Sequence, residues 1–309
     1  MRRRFALVYN ARAGIAVPRL LDSVLAALRA GGAEVFQLAA RSAEDATAQV
    51  ATLAATGSAD AVIAAGGDGT FRAVAAGAAG RMLPVGFVPL GTGNVLAHEL
   101  GLTRRASEIA RGLQDDPVIP VMGGLVNGAA FFLMCGAGFD GRIVGNLNYR
   151  AKRILGRAAY SFPVTKALAA GAEAFDVDVD GRSHESSWVI VSNASRYGGA
   201  FTLTRDTQLG ARRMIATIVE ARSRRQLLAT SVALALGRLA DPATRPSYVK
   251  VMPANRVLIG QRTATHIEVD GDDAGLSPAD VSAHGPVVQL IVPPAYVAGL
   301  TNRHTNHVL

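Results

Sequence analysis

Short apolar runs alternate with longer segments of mixed polarity in the first part of the chain. Runs of this length predict buried strands. The segments between them carry helix-boundary signals, because Pro18 lies near the start of one and Ser42 precedes Asp45 at N-cap spacing in the next. The predicted strands are 5–9, 33–38, 61–65 and 85–88, and the predicted helices are 18–30, 42–56 and a third that ends near residue 80. The alternation predicts an α/β domain with a parallel, Rossmann-like sheet.

The pattern changes near Pro117, after which the apolar runs are shorter and alternate with polar positions. Such runs predict antiparallel strands of a sandwich-like domain. The predicted strands are 174–182, 187–193, 214–220, 257–260 and 265–270, and two helices are predicted over 157–170 and 224–239. We therefore expect an α/β domain over residues 1–120 and a mostly antiparallel β-sandwich domain over residues 121–292.

Two glycine-rich turns, 66–70 (Gly-Gly-Asp-Gly-Thr) and 91–94 (Gly-Thr-Gly-Asn), each follow a predicted strand and lead into a segment that can be helical. Backbone N–H groups at such turns suit phosphate binding. Ligands of parallel sheets bind beyond the carboxyl ends of the strands, so we expect Asn10, Asp68 and Thr92 to lie close together. The alternative is a pair of ordinary tight turns, because neither sequence is a Walker A motif or a Gly-x-Gly-x-x-Gly motif.

Two motifs contain carboxylates that could take part in metal binding or catalysis. Asp68 lies in the first glycine-rich turn, and a carboxylate beside phosphates usually needs a metal ion or a basic side chain between them. Asp270 and Asp272 flank Gly271 at the end of a predicted strand. A carboxylate there could orient a hydroxyl and accept its proton, but Asp-Gly is also a strong hairpin-turn signal. The residues alone leave both interpretations open.

The formal net charge of +8 indicates an anionic partner such as a nucleotide or a membrane surface. No basic–aromatic alternation or recognition motif accompanies this charge, so nucleic acid is not an expected partner. The single cysteine, Cys135, excludes an internal disulfide and fits a reducing compartment. No apolar run approaches the length of a membrane span. We expect a cytoplasmic protein that is peripheral to the inner face of the membrane.

Several motifs of this chain resemble those of bacterial lipid kinases of the diacylglycerol kinase catalytic-domain family, and they occur in the same order as in that family. That family shares its Gly-Gly-Asp-Gly-Thr turn with sphingosine kinases and NAD kinases. The matching segments are 10–14, 66–70, 91–94, 132–140, 152–157, 193–199 and 269–272. The resemblance runs along nearly the whole chain and implies an NAD-kinase-like α/β domain that binds the nucleotide. It also implies a β-sandwich domain for the lipid, and a C-terminal segment, about 293–309, that returns to the first domain at Pro293 and Pro294.

The resemblance also assigns roles to residues. It implies that Asp68, Asp270 and Asp272 are catalytic and that Asp68 binds Mg²⁺ directly or through water. The ATP-binding positions it implies are Asn10, Ala11, Arg12, Ala13, Gly14, Gly66, Gly67, Asp68, Gly69, Thr70, Thr92, Gly93 and Asn94.

This chain departs from the family pattern at several positions. Asp272 replaces the usual Glu, which leaves open whether Asp270 or Asp272 is the base. Arg72 and Ala73 replace a common Asn-Glu, and Val95 replaces a common Asp, so fewer acidic residues surround the nucleotide. The segment 207–212 lacks the Asp-Gly turn that relatives use for a structural Mg²⁺, and we do not expect that second metal.

The expected function is that of an ATP- and Mg²⁺-dependent lipid kinase acting on a primary hydroxyl, with diacylglycerol as the default acceptor. Phosphatidylglycerol, ceramide or another long-chain alcohol would need only a different cleft. One alternative is an NAD kinase, against which the 91–94 turn and the Asp270-Gly271-Asp272 motif argue. Another is a non-catalytic lipid- or nucleotide-binding regulator. The expected partners are ATP and a lipid at the membrane surface, and a homodimer is among the expected assemblies.

Overall fold

A computed structural model describes residues 1–9, 18–91, 93–146 and 161–305 of the chain. The predicted ATP-site residues Asn10 to Gly14 and Thr92, and the motif at 152–157, lie outside the described residues. The chain divides into two compact units, one formed by Met1–Met122 with Pro286–Leu309 and the other by Gly123–Gly285. Among the described residues, no helix combines the length and the apolar character that a membrane crossing requires.

The helices and strands are numbered in chain order. The first half contains β1 Arg4–Tyr9, α1 Pro18–Ala30, β2 Glu34–Leu38, α2 Ala43–Thr56, β3 Ala61–Gly66, α3 Asp68–Ala78, β4 Pro84–Pro89, α4 Val95–Leu100, α5 Ala106–Asp115, β5 Val118–Met122, β6 Gly124–Val126, β7 Ala129–Phe131, β8 Met134–Gly138 and α6 Phe139–Gly145. The second half contains α7 Ser161–Ala170, β9 Phe175–Val179, β10 Arg182–Ser186, β11 Trp188–Ser192, β12 Arg196–Tyr197, β13 Phe201–Thr202, β14 Met214–Val219, α8 Arg224–Ala235, a 3₁₀ turn Arg238–Ala240, β15 Val249–Ala254, β16 Arg256–Ile259, β17 His266–Val269, β18 Asp272–Leu276, β19 Ala279–Ser282, β20 Val287–Ile291 and α9 Pro294–Thr305.

The first unit has one six-stranded sheet with the order β2-β1-β3-β4-β20-β5. All neighbouring strands are parallel except β20 and β5. The predicted α/β architecture is confirmed, and local signals account for its helices. Ser42 accepts a hydrogen bond from the Asp45 N–H at 3.1 Å, and Asp45 accepts one from the Arg41 N–H at 2.9 Å, so the first turn of α2 is capped from both sides.

The chain returns to the first unit earlier than expected, before residue 293. The division falls at Pro286, and β20 pairs in parallel with β4 before the chain reaches Pro293. The expected second domain, 121–292, therefore includes a strand that belongs to the first sheet. The run Val287–Ile291 is apolar, and its sequence does not specify which sheet it joins.

The second unit contains two six-stranded antiparallel sheets, with the orders β10-β9-β16-β19-β6-β7 and β15-β14-β11-β8-β17-β18. Its buried core draws side chains from both sheets, including Val177 and Ile259 of the first and Val189 and Ile267 of the second. Two sheets that share one apolar layer form a sandwich, as predicted. Cys135 is buried in this layer.

Candidate active site

The two glycine-rich turns lie side by side because β3 and β4 are neighbouring parallel strands. The N–H groups of Leu90 and Gly91 donate to the Gly66 carbonyl at 2.9 and 3.1 Å. A Cβ atom on Gly91 would stand 2.8 Å from the Gly67 Cα, so the backbones meet where neither residue carries a side chain. The described residues of the two turns are therefore neighbours, and the predicted proximity of Asn10 and Thr92 to Asp68 stays a prediction.

Substituting Gly91 with Ala should disrupt this contact. The new methyl group would also stand 2.5 Å from the Asn94 side-chain oxygen, and the backbone of Gly67 cannot rotate away. We expect Gly91→Ala to lower the free energy of unfolding by about 1–3 kcal/mol, as overpacking does. The matched control is Gly67→Ala, whose methyl group would meet the Gly91 Cα at an ordinary 3.8 Å. Urea unfolding curves of the two variants check this, and equal losses would contradict it.

Asp68, the first residue of α3, joins the two turns through its carboxylate. Its oxygens accept hydrogen bonds from the N–H groups of Val95 at 2.9 Å and Leu96 at 3.1 Å, at the start of α4. These bonds satisfy helix N–H donors that have no partner within the helix. Asn94, just before them, has a positive φ of 45° and donates its side-chain N–H to the Gly91 carbonyl at 2.6 Å. The acidic residue of the first turn thus orders the second.

The surroundings of Asp68 bear on whether Mg²⁺ fits. Among the described residues, no three His, Cys, Asp or Glu side chains converge as a metal cage. Mg²⁺ in nucleotide sites needs no such cage, because one or two carboxylates and the substrate phosphates hold it. A carboxylate offers about four acceptor positions, and acceptance of backbone N–H groups is compatible with acceptance from a metal-bound water. Asp68 therefore fits an ion that arrives with ATP.

The Asp270–Gly271 turn joins β17 to β18 as a two-residue hairpin. Val269 pairs with Asp272, and both turn residues have positive φ, 50° for Asp270 and 83° for Gly271. This geometry explains why Asp-Gly occupies the turn. Because Asp272 lies directly beside it, the hairpin and catalytic interpretations of the motif are compatible.

The two carboxylates of this motif have different surroundings. Asp270 is 4% exposed, and its oxygens accept N–H groups from Phe132 at 3.0 Å and from Leu133 and Met134 at 2.9 Å. It thereby ties the hairpin to the start of β8. Asp272, the first residue of β18, is half-buried. The stronger backbone anchoring belongs to Asp270.

A pair of buried acids, Asp140 of α6 and Glu268 of β17, lies beside this turn. Glu268 accepts the Gly271 N–H at 2.8 Å through one oxygen. Its other oxygen and one oxygen of Asp140 crowd the side of Gly136 where a Cβ atom would stand. Neither of these two oxygens accepts another hydrogen bond among the described residues. A single proton shared by the two carboxyl groups would satisfy both.

Tyr197 of β12 completes this cluster by donating its hydroxyl to Asp140. The Trp188 ring packs edge-on against Tyr197 at 6.0 Å and so holds the hydroxyl in place. Sequence reasoning did not identify Asp140 or Glu268 as site residues. Glu268 lies between the inward-facing Ile267 and Val269, and a glutamate in such a strand could have indicated a buried acid. Its partner, Asp140, could not be identified in this way because it is distant in the chain.

Burial raises the pKa values of both acids. Removal from water raises the pKa of Asp140 to about 6, although the hydrogen bonds from Tyr197 and Glu268 oppose the rise. Burial and then the negative charge of Asp140 raise the pKa of Glu268 well above its ordinary range, and the nearby charge of Asp270 adds to this. The pair as a whole therefore retains a proton at a higher pH than an exposed carboxyl group does.

These shifts predict how pH affects stability. An acid whose pKa is raised by folding stabilises the folded state below its unfolded pKa, and that contribution is lost as pH rises through the folded pKa. For Asp140 the loss runs from its ordinary 3.8 to about 6, and for Glu268 it continues at higher pH. Glu268→Gln keeps an uncharged group of the same shape, and its amide can still accept the Gly271 N–H.

We expect the free energy of unfolding of the unmodified chain, minus that of Glu268→Gln, to fall by about 1–3 kcal/mol between pH 5 and pH 8. Urea titrations across this range measure the difference, in which the titrating groups outside the pair cancel. Parallel stability curves for the two proteins would show that the pair does not share a proton.

Comparisons with known proteins agree with this architecture. Residues 4–124 match the diacylglycerol kinase catalytic domain family, and residues 134–292 match the YegS C-terminal NAD kinase beta sandwich-like domain family. The diacylglycerol kinase of Bacillus subtilis (strain 168) is 26% identical over 289 residues, which is 90% of this chain and 92% of that protein.

Two further likenesses are more limited. A Pseudomonas aeruginosa (strain UCBPP-PA14) protein named "Probable lipid kinase YegS-like" is 39% identical over 101 residues, 32% of this chain and 33% of that protein. A crystal structure of a diacylglycerol kinase from Bacillus anthracis str. Sterne superposes with a TM-score of 0.70 at 18% identity, covering 96% of this chain and 98% of that one. At this identity the superposition shows a shared fold.

Proposed function

This chain belongs to the lipid kinase family defined by the diacylglycerol kinase catalytic domain, and we propose that it transfers the γ-phosphate of ATP to a primary hydroxyl of a membrane lipid. Diacylglycerol is the acceptor proposed first, because the relative from Bacillus subtilis carries the name diacylglycerol kinase. The observation that carries the proposal is the bridge from Asp68 to the N–H groups of Val95 and Leu96, which joins two glycine-rich turns at the end of a parallel sheet.

We assign nucleotide binding to the first unit. Phosphoryl transfer needs the triphosphate held and its charge neutralised, and backbone N–H groups beside glycines allow phosphates to approach closely. We assign this role to Gly66, Gly67, Gly69 and Gly93, together with the hydroxyl of Thr70. When bound with ATP, Mg²⁺ would neutralise phosphate charge, and Asp68 is the residue assigned to hold it, directly or through water.

We assign the acceptor of the lipid hydroxyl's proton to a carboxylate of the second unit. As the lipid hydroxyl attacks the γ-phosphorus, a carboxylate must orient it and take its proton. We assign this role to Asp272, because the oxygens of Asp270 accept three backbone N–H groups within a buried turn. Asp270 and Glu268 would then act as positioning residues that fix the backbone from which Asp272 projects.

A second candidate function is a regulator that binds nucleotide or lipid without turnover. It is supported by Val95, which stands where relatives commonly carry an acidic residue. That departure leaves one negative charge fewer to attract a metal ion near the nucleotide.

The test is transfer of labelled γ-phosphate from Mg-ATP to diacylglycerol in mixed micelles, to extracted membrane lipids and to NAD. A labelled lipid that requires Asp272 supports the kinase. Label on NAD would instead support the NAD kinase alternative. Measurable ATP binding with no labelled product in any arm would favour the regulator and overturn the proposal.

A further inference from the structure

Helix α8 carries large apolar side chains on its outward face as well as on its buried face. Leu227, Ala233 and Leu234 are buried against the second unit. The outward side chains are also apolar, and they remain in solvent: Leu228 is 51% exposed, Val232 48% and Leu236, which follows the helix, 60%. Their spacing of four residues places them in one row along the helix. Exposed large apolar side chains are usually scattered singly, so a contiguous outer row of this kind indicates a partner surface.

Two neighbouring elements add exposed aromatic side chains. Strand β13 and helix α7 both lie beside α8. Phe201 of β13 is 42% exposed and Phe162 of α7 is 73% exposed. Phe and Leu on an exposed face are typical of surfaces that enter the boundary between lipid headgroups and acyl chains.

Arginines are the only charged residues in the segment that carries this row, between Glu220 and Asp241. Residues 221–240 contain four arginines, Arg222, Arg224, Arg225 and Arg238, and no Asp or Glu. Among the described residues, none of the four forms an ion pair. Three of them cluster at the N-terminus of α8, where the helix dipole disfavours cations. Ser223 and Gln226 already cap that end, so helix stability does not explain the cluster.

We propose that the outer face of α8, formed by Leu228, Val232 and Leu236 with the flanking arginines, docks on an anionic lipid bilayer. Guanidinium groups beside apolar side chains match anionic headgroups above acyl chains. A second copy of the same face fits less well, because it would bring only like charges against the arginines. The docking claim stands without the kinase assignment, and only the activity readout below depends on the proposed function.

The experiment is sedimentation of the full chain with vesicles of phosphatidylglycerol and phosphatidylcholine, and with vesicles of phosphatidylcholine alone. We expect binding to the mixed vesicles that weakens in high salt. Arg224→Gln/Arg225→Gln should weaken vesicle binding about 30-fold, because each of the two arginines contributes about equally to the attraction to an anionic surface. The charge-matched control is Arg182→Gln/Arg213→Gln, at exposed positions outside α8, which should weaken vesicle binding less than threefold.

The apolar row is tested by Leu228→Ser/Val232→Ser, with Met82→Ser, at a residue 83% exposed in the first unit, as its control. We expect about tenfold weaker vesicle binding for the α8 variant. Its urea midpoint should fall only slightly, because both side chains are about half exposed to solvent and Ser is a weaker helix former than Leu. If the kinase assignment holds, the variant should lose activity on vesicle-borne diacylglycerol but keep it on a short-chain, monomeric analogue.

Binding to mixed vesicles that both α8 variants leave unchanged would overturn the proposal. So would sedimentation equilibrium showing a dimer that Leu228→Ser/Val232→Ser dissociates, together with no vesicle binding. Failure of lipid phosphorylation with intact, α8-dependent vesicle binding would remove the kinase assignment and leave the docking surface standing.

Discussion

Asp272→Asn is expected to lower kcat for lipid phosphorylation by about 10²–10⁴-fold, the usual loss when a general base is removed. The KM for ATP and the free energy of unfolding should change little, because Asp272 is half-buried at the first position of β18 and lies in the unit without the glycine-rich turns. Steady-state kinetics on diacylglycerol micelles and urea unfolding of the same preparations measure the two quantities.

The matched control for this variant is Asp273→Asn, one residue along the same strand. Asp273 is exposed, and its carboxylate accepts only a local hydrogen bond from the Gly275 N–H at 3.1 Å among the contacts described for it. Its kcat should stay within threefold of the unmodified enzyme. If Asp272→Asn retained most of its activity, or if both variants lost it equally, Asp272 would not be the proton acceptor.

Asp270→Ala is expected to produce the largest loss of stability among the variants considered, about 4 kcal/mol or more. It would leave the buried N–H groups of Phe132, Leu133 and Met134 without an acceptor, and each such group costs about 1–3 kcal/mol. Ala also tolerates the positive φ of 50° less well than Asp does. Asp270→Asn should lose about 1–3 kcal/mol, because its one carbonyl oxygen can still accept two of the three bonds.

Asp180 supplies the control for Asp270. It also has a positive φ, 51°, and accepts backbone N–H groups from Asn255 and Arg256, but it lies at the surface. Water can replace those bonds, so Asp180→Ala should lose about 1 kcal/mol. Chemical unfolding measures both variants. A stable Asp270→Ala protein that had lost only kcat would reverse the assignment and make Asp270 the base.

Much of the fold was predictable because its determinants are local. The strand–helix alternation indicated the parallel sheet, and α1 and α2 begin and end within a residue of the predicted bounds. The capping pair Ser42 and Asp45 acts within one helical turn. The Asp-Gly hairpin depends on two adjacent residues that tolerate positive φ. Each of these signals is complete within a short window of sequence.

The details of the candidate site were less predictable, because its contacts join residues that are distant in the chain. Asp68 was expected to face a metal ion, and the structure adds that its oxygens accept N–H groups from Val95 and Leu96. Asp270 was expected to be catalytic, and nothing in its motif indicates that the N–H groups of residues 132–134 converge on it.

The amino-acid sequence by itself determined the α/β alternation, the sandwich character of the second part, the two glycine-rich turns and the hairpin that carries Asp272. These follow from propensity, capping and turn chemistry, which act between near neighbours. Only the tertiary structure decided that β20 joins the first sheet, that Asp140 meets Glu268, and that the outer row of α8 stays in solvent. Those outcomes depend on how whole elements pack, because a side chain's burial and charge partners come from residues that the local sequence does not contain.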